Sequence, residues 1–275
     1  MKNIQIGFIG GGNMARSLIG GLIADGFAAK QIHVSDPDTQ QLATLSARFR
    51  VHTSTENLPT AQSADVLVLA VKPQLLHAVA TDLVSTVQAR HPLIVSIAAG
   101  VREPDLQRWL GGGLAIVRAM PNTPALVQSG ATALYANAHV TTEQRNRAES
   151  ILRAVGMTLW LKDEGQMDAV TALSGSGPAY FFLIMEALEA AGVRLGLDAA
   201  DARLLTLQTA FGAAKMTLES QEDASVLRAR VTSKGGTTEQ ALKVLEAGGL
   251  AKLLDQAVAA ACERSRELAA LLGKS

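Results

Sequence analysis

The chain predicts a two-part molecule: an α/β, doubly wound and mostly parallel sheet over residues 1–163, then an all-α region over 164–275. Three observations carry this. Apolar strand-like runs alternate with helical patterns through the first part, the spacing of βα units. The first run, Ile4, Ile6, Phe8 and Ile9, passes directly into Gly10-Gly11-Gly12-Asn13-Met14-Ala15. Beyond Glu164 no strand pattern appears, only helical periodicity rich in Ala and Leu.

The opening run reads as a buried strand, since parallel strands covered on both faces are nearly continuously apolar. Gly10, Gly12 and Ala15 form Gly-x-Gly-x-x-Ala between that strand and a helix marked by Met14, Leu18, Ile19, Leu22 and Ile23. In a dinucleotide-binding (Rossmann-type) unit each small residue has a task. Gly10 permits the tight turn, Gly12 admits a pyrophosphate to the backbone N–H groups, and Ala15 lets the helix approach the strand. The helix N-terminus offers unpaired N–H donors and the positive end of a dipole to the diphosphate.

Ile32-His33-Val34 forms a second strand ending at Ser35-Asp36-Pro37. Asp36 lies about twenty residues beyond the glycine turn, where an acid takes the ribose hydroxyls of NAD. It reads equally as a turn or N-cap residue before a helix from Asp38 to Arg48. A short strand near Val51-His52 leads to Asn57, and Asp65–Val71 is the strongest strand, ending in Lys72-Pro73. Ligands bind at strand C-termini in such sheets, which makes Val71, Lys72 and Pro73 coenzyme candidates. A helix over Leu75–Ala89 and a strand over Leu93–Ile97 follow, the latter running into the small residues Ala98-Ala99-Gly100. Glu103–Leu110 is helical and Ala115–Ala119 is a strand, and Met120-Pro121-Asn122-Thr123-Pro124 is a loop stiffened by two prolines. A hairpin-like pair (Ala131–Tyr135 and Thr158–Leu161) flanks a helix over Thr142–Val155.

In the helical part, helices are expected over Gln166–Leu195, Asp198–Ser220, Ser225–Val231, Thr237–Ala247 and Leu250–Leu272. The first contains Ser174-Gly175-Ser176-Gly177-Pro178, which costs helix stability unless close packing or a bend requires it. Phe181, Phe182 and Met185 are its expected helix contacts. These helices are more apolar than one small core needs, so part of their surface is expected to meet another subunit.

Composition narrows the function. Net charge is zero and charged residues are 18%, which gives no electrostatic footprint for nucleic acid or an anionic membrane. Aromatics at 4% are too few for a base-stacking platform. No apolar run approaches the roughly twenty residues that span a bilayer. The single cysteine, Cys262, allows no intramolecular disulfide and suits a reducing cytoplasm. The five histidines show no metal-ligand spacing, so no metal site is expected.

The second informative stretch is Ser233-Lys234-Gly235-Gly236-Thr237-Thr238-Glu239-Gln240. A glycine pair with exposed N–H groups, two hydroxyls and a helix start make an anion pocket without fixed charge, suited to a carboxylate. Thr237 and Gln240 stand at capping-box spacing, and an ordinary capped helix is the plainer reading. Ser176 is no nucleophile elbow, and there is no Walker-type loop. Hydride transfer to a small molecule remains.

Phe8–Met14, Ala70–Pro73, Ser96–Gly100, Met120–Pro124, Ser174–Tyr180 and Gly235–Thr238 occur together, in order, over essentially the whole chain. In this the chain resembles the pyrroline-5-carboxylate reductases. The resemblance implies reduction of 1-pyrroline-5-carboxylate to L-proline by NAD(P)H, the last step of proline biosynthesis. It also implies a helical dimerisation domain whose dimers often form decamers. It places Ile9, Gly10, Gly11, Gly12, Asn13 and Met14 on the pyrophosphate, and Ser35, Pro37 and Asn57 at the adenosine end, where the spacing also puts Asp36. Val71, Lys72, Pro73, Ala98 and Asn122 would lie toward the nicotinamide. Glu164, Ser233, Gly235, Gly236, Thr237 and Thr238 would line the substrate pocket, with Thr238 nearest the chemistry and its turn supplied by the partner subunit. The family generally prefers NADP(H). Two departures stand out: Lys234 replaces a frequent proline, and Asp36, an acid many members lack, repels a 2′-phosphate and admits NAD(H). Arg16 and Lys72 are the nearest compensating cations. The β-hydroxyacid dehydrogenases resemble the N-terminus too, but their lysine on the first C-terminal helix is missing, since Lys215 is the first lysine after Lys162. A coenzyme-sensing regulator without turnover is a further alternative, disfavoured by the intact anion turn.

Overall fold

The computed structural model describes residues 4–274. Eight strands form one sheet in the order β3-β2-β1-β4-β5-β6-β7-β8. They are β1 (Ile6–Ile9), β2 (Ile32–Ser35), β3 (His52–Ser54), β4 (Val66–Leu69), β5 (Leu93–Ser96), β6 (Ile116–Met120), β7 (Gly130–Ala136) and β8 (Gly156–Trp160). The helices between them are α1 (Asn13–Ala24), α2 (Thr39–Phe49), α3 (Asn57–Ser63), α4 (Pro73–Arg90), α5 (Glu103–Trp109) and α6 (Thr142–Arg153). Every pairing is parallel except β6 with β7. The expected doubly wound α/β sheet is therefore present.

Alternate strand residues feed two apolar layers. Phe8, Val68, Val95 and Val117 enter the layer that includes Leu18, Ile19 and Leu22 of α1. Ile9, Leu67, Leu69, Ile94 and Ile116 enter the other, with Leu76 and Leu83 of α4 and Leu106 of α5. Burial on both faces is why these strands read as unbroken apolar runs.

Three local expectations are corrected. The region 131–161 is not hairpin-like: β7 and β8 run parallel, because the connection carries α6 and is long enough for a crossover. The antiparallel turn lies one strand earlier, where the short 3₁₀ segment Thr123–Val127 joins β6 to β7. Helix α3 was not foreseen; its Pro59 sits in the first turn, where a missing N–H costs nothing. The N-cap ahead of α2 is Asp38, whose carboxylate accepts from the Gln40 and Gln41 N–H groups, so Asp36 is not the cap.

Beyond β8 all is helical, as expected. The region read as one helix over Gln166–Leu195 is instead α7 (Met167–Val170), a π-helical turn Thr171–Gly175 and α8 (Gly177–Arg194). Gly175, Gly177 and Pro178 supply the break, since Pro178 has no N–H and starts a new helix readily. Then come α9 (Ala199–Glu219), α10 (Ala224–Arg230), α11 (Thr237–Ala247) and α12 (Leu250–Leu272). Two compact units result: one runs through Ser176 and takes in the chain from Ala261 onward, and the other is Gly177–Ala260. In the second unit Phe181 is 63% exposed, Phe182 62% and Leu218 87%. Phe181 and Phe182, expected as helix contacts, are thus left mostly uncovered within the chain, while Met185 is half-buried. So many bare apolar side chains are the mark of a surface built to be covered. Among the described residues no helix is long and apolar enough to cross a membrane.

The β2–β3 edge carries a pH-sensitive histidine, His33. His33 lies opposite His52 with rings stacked 4.8 Å apart. Burial first, and His52 second, lower the His33 pKa below the ordinary imidazole value. A folded-state pKa lowered in this way favours folding above the unfolded value and is lost as pH falls through it toward the folded one. The melting temperature should therefore drop between about pH 7 and about pH 5, the imidazole range, and His33→Gln should flatten that slope. An unchanged slope in a melting series would contradict this.

Candidate active site

The C-terminal edge of the parallel strands gathers the N-terminal candidates. Gly10 holds φ +100°, and a Cβ there would stand 2.7 Å from the Ala70 carbonyl oxygen. Its N–H donates to the Ser35 carbonyl at 2.7 Å, and the Ala70 N–H donates to Ile9 at 2.8 Å, so the turn is stitched to β2 and β4 on either side. Those neighbours flank β1, the strand where connections switch direction, which is where open α/β sheets bind ligands. A Cβ on Gly12 would meet nothing within 4 Å, which leaves the first-turn N–H groups of α1 open. The turn, open at Gly12 and at the positive end of a twelve-residue helix, fits a diphosphate. Ile9 is wholly buried, so only its backbone can take part.

At the end of β2, the buried Ser35 hydroxyl donates to Asn57 Oδ1 at 2.8 Å, tying the start of α3 to this edge. Asp36 has two duties in the fold. Its Oδ2 accepts the Gly11 N–H at 2.7 Å and its Oδ1 accepts the Asp38 N–H at 2.9 Å. The turn reading of Asp36 is thus realised, with its carboxylate against the glycine turn. Pro37 beside it is exposed. Arg16 lines a small cavity of about 80 Å³ with Gly11, Gln40, Gln41 and Thr44, and its Nη2 donates to Asn13 Oδ1 at 2.5 Å. Lys72 is the exposed N-cap of α4, with Pro73 at the first helical position, and Val71 lies against the Gly10 turn. Ala98 is buried at the end of β5.

Asn122 is occupied within the protein. Its Oδ1 accepts the Ala131 N–H at 2.9 Å, and its Nδ2 faces the Ser174 carbonyl at 3.3 Å and hydroxyl at 3.2 Å. The proline-stiffened loop therefore grips the π-helical turn. Glu164 is likewise engaged: its Oε1 accepts from Arg118 Nη1 at 2.5 Å and from the Glu103 N–H at 2.6 Å. Arg118, 8% exposed, was missed in the sequence, although a lone charge inside Ile116-Val117-Arg118-Ala119 is a signal of a buried partner.

The glycine turn in the helical unit is built differently from the expected capping box. Gly236, not Thr237, is the N-cap of α11, and no side chain caps it. Glu239 reaches back instead, accepting the Gly235 N–H at 3.0 Å, with Lys243 at 3.2 Å from the same oxygen. Gly235 has φ +76°, the conformation glycine tolerates best. Ser233, Gly235 and Thr237 are exposed, and Gly236 and Thr238 half-buried. A helix N-terminus whose first N–H groups meet no side-chain acceptor can receive a carboxylate. Among the described residues no cluster of three or more His, Cys, Asp or Glu could hold a metal ion.

Sheet order and glycine turn define a dinucleotide-dependent oxidoreductase, and residues 5–100 match the family model described as NADP oxidoreductase, coenzyme F420-dependent. Residues 164–268 match the model described as pyrroline-5-carboxylate reductase dimerisation. A pyrroline-5-carboxylate reductase of Pseudomonas aeruginosa is 52% identical over 100% of both chains. The solved pyrroline-5-carboxylate reductase of Coxiella burnetii superimposes with TM-score 0.93 at 49% identity, covering 96% of this chain and 98% of that one. The Plasmodium falciparum pyrroline carboxylate reductase, solved with NADP bound, gives TM-score 0.87 at 30% identity over 98% and 99%. The chain belongs to the pyrroline-5-carboxylate reductase family.

Proposed function

We propose that the protein reduces 1-pyrroline-5-carboxylate to L-proline at the expense of a reduced nicotinamide dinucleotide. The observation that carries this is the pairing, in one chain of this family, of a glycine turn open at Gly12 with a helix start at Gly236–Thr238 that no side chain caps. The bound coenzyme supplies a hydride to the imine carbon. Residues Gly10–Met14 would hold its pyrophosphate, chiefly through the first-turn N–H groups of α1, since the Gly10 and Gly11 N–H groups already donate to Ser35 and Asp36. Ser35, Asp36, Pro37 and Asn57 flank the adenosine, and Val71, Lys72, Pro73, Ala98 and the loop fixed by Asn122 shape the nicotinamide end. The turn Ser233–Thr238 takes the substrate carboxylate, and Glu164 stands in the pocket wall. A cyclic imine protonates readily in water, so positioning, rather than a strong protein acid, is the main demand.

Thr238 places its hydroxyl near the ring nitrogen in this reading. Thr238→Ala is expected to lower kcat/KM by about one to two orders of magnitude, the loss of one or two good hydrogen bonds. Steady-state kinetics with unchanged constants would remove Thr238 from the site.

NADPH is the preferred coenzyme and NADH a weaker alternative. The relative solved with NADP and the Arg16 cavity beside Gly11 support the first. The Asp36 carboxylate, already held by two N–H groups, supports the second by opposing a 2′-phosphate only in part. Asp36→Asn should raise the NADPH-to-NADH ratio of kcat/KM by about tenfold, the scale of one screened charge contact. A ratio that stays put would acquit Asp36.

The functional division falls at 163/164, where the dimerisation match begins. Copies of the chain pair through the exposed apolar helices of the Gly177–Ala260 unit, and the substrate turn of one protomer serves coenzyme held by its partner. Dimers assemble further toward a decamer, in the cytoplasm.

A further inference from the structure

A cavity of about 240 Å³ lies within the first unit, lined by Arg102, Arg118, Glu164, Asp168 and Arg266. Arg118 makes it unusual. A guanidinium carries five N–H donors. Only Nη1 of Arg118 has a protein acceptor, the Glu164 carboxylate at 2.5 Å. No buried side-chain nitrogen or oxygen among the described residues lacks a partner. The unspent Nε and Nη2 donors must therefore reach open space, and the cavity is the space beside them. Three guanidinium groups against two carboxylates leave one net positive charge on the lining. Paired N–H groups in a plane match a carboxylate.

A cationic donor set alone would serve any small anion, but the cavity also holds an acidic acceptor, Asp168, next to Arg102. Asp168 Oδ1 accepts from Ser265 Oγ at 2.6 Å, whereas its Oδ2 has only Arg102 at 3.9 Å. That oxygen is free to accept from an ammonium group. We propose that this cavity is a binding site for a small α-amino acid, with carboxylate on Arg118 and Arg102 and ammonium on Asp168. The volume suits a few heavy atoms and excludes a dinucleotide, whose pocket needs several hundred Å³ more. A ligand there would bridge β6, α7 and α12, since Arg118, Asp168 and Arg266 lie on those elements. The cavity shares Glu164 with the wall of the proposed substrate pocket, so the Thr238→Ala control is what separates the two sites.

Glycine, the smallest zwitterion and neither substrate nor product, is the probe, followed by NMR titration of the labelled amino acid against the full-length protein. Saturable binding at one glycine per chain is expected, with acetate and methylammonium each about tenfold weaker or more. Arg102→Gln and Asp168→Asn, both on partly exposed side chains, should each weaken glycine by about tenfold while leaving the melting curve in place. Thr238→Ala should leave the isotherm unchanged. Equal affinity for acetate, retention of glycine by both cavity variants, or loss of binding in Thr238→Ala would each overturn the proposal, the last by placing glycine on the substrate turn.

Discussion

Gly10→Ala should weaken coenzyme binding by about ten- to a hundredfold. The position combines φ +100° with a Cβ site 2.7 Å from the Ala70 carbonyl oxygen, and backbone cannot yield as a side chain can. Strain of about 1–3 kcal/mol follows, and it falls on the turn that presents the α1 N–H groups. The comparison is Gly12→Ala. There a Cβ meets nothing within 4 Å and φ is −64°, so the fold tolerates it and only ligand approach is obstructed. Gly10→Ala should therefore lower both melting temperature and coenzyme affinity, and Gly12→Ala affinity alone. Fluorescence titration of the reduced coenzyme beside thermal melts reads both; a Gly10 variant with unaltered affinity would refute the account of the turn.

The second large effect is on stability. Glu164→Ala leaves the largely buried Arg118 guanidinium without its anion and the Glu103 N–H without its acceptor. Breaking such a pair from one side costs about 3–5 kcal/mol, because a charge stays buried uncompensated. The cavity gives Arg118 some access to solvent, so the lower end, about 3 kcal/mol, is expected from the urea midpoint. The double variant Arg118→Met with Glu164→Leu should recover most of it, since removing both charges removes the desolvation cost as well. If Glu164→Ala instead leaves stability intact and raises KM alone, its duty lies with substrate and not with Arg118.

Much of the fold was legible because it rests on local patterns. The apolar runs over β1, β4 and β5 declare strands buried on both faces, and the helix limits Thr237–Ala247 and Leu250–Leu272 coincide with the expected ones. What was not legible depends on partners distant in the chain. The helix between β7 and β8 already signals a parallel crossover, whereas nothing local shows that β7 runs antiparallel to β6. The grip of Asn122 on Ser174 spans fifty-two residues, and the tie of Ser265 to Asp168 spans ninety-seven. The glycine turns announced themselves because their chemistry is backbone chemistry at one place. The Arg118 cavity did not, since its lining comes from four separated segments. At Gly236 the misreading was chemical: Thr237-x-x-Gln240 and Gly236-x-x-Glu239 are both plausible helix starts, and the reach of Glu239 back to Gly235 decides between them.

The most direct measurement mixes the purified protein with 1-pyrroline-5-carboxylate and NADPH, follows the near-ultraviolet absorbance of the reduced nicotinamide, and identifies the product by mass. Stoichiometric loss of that absorbance with formation of L-proline is the predicted result. Coenzyme bound but not consumed, with the imine recovered unchanged, would contradict the assignment.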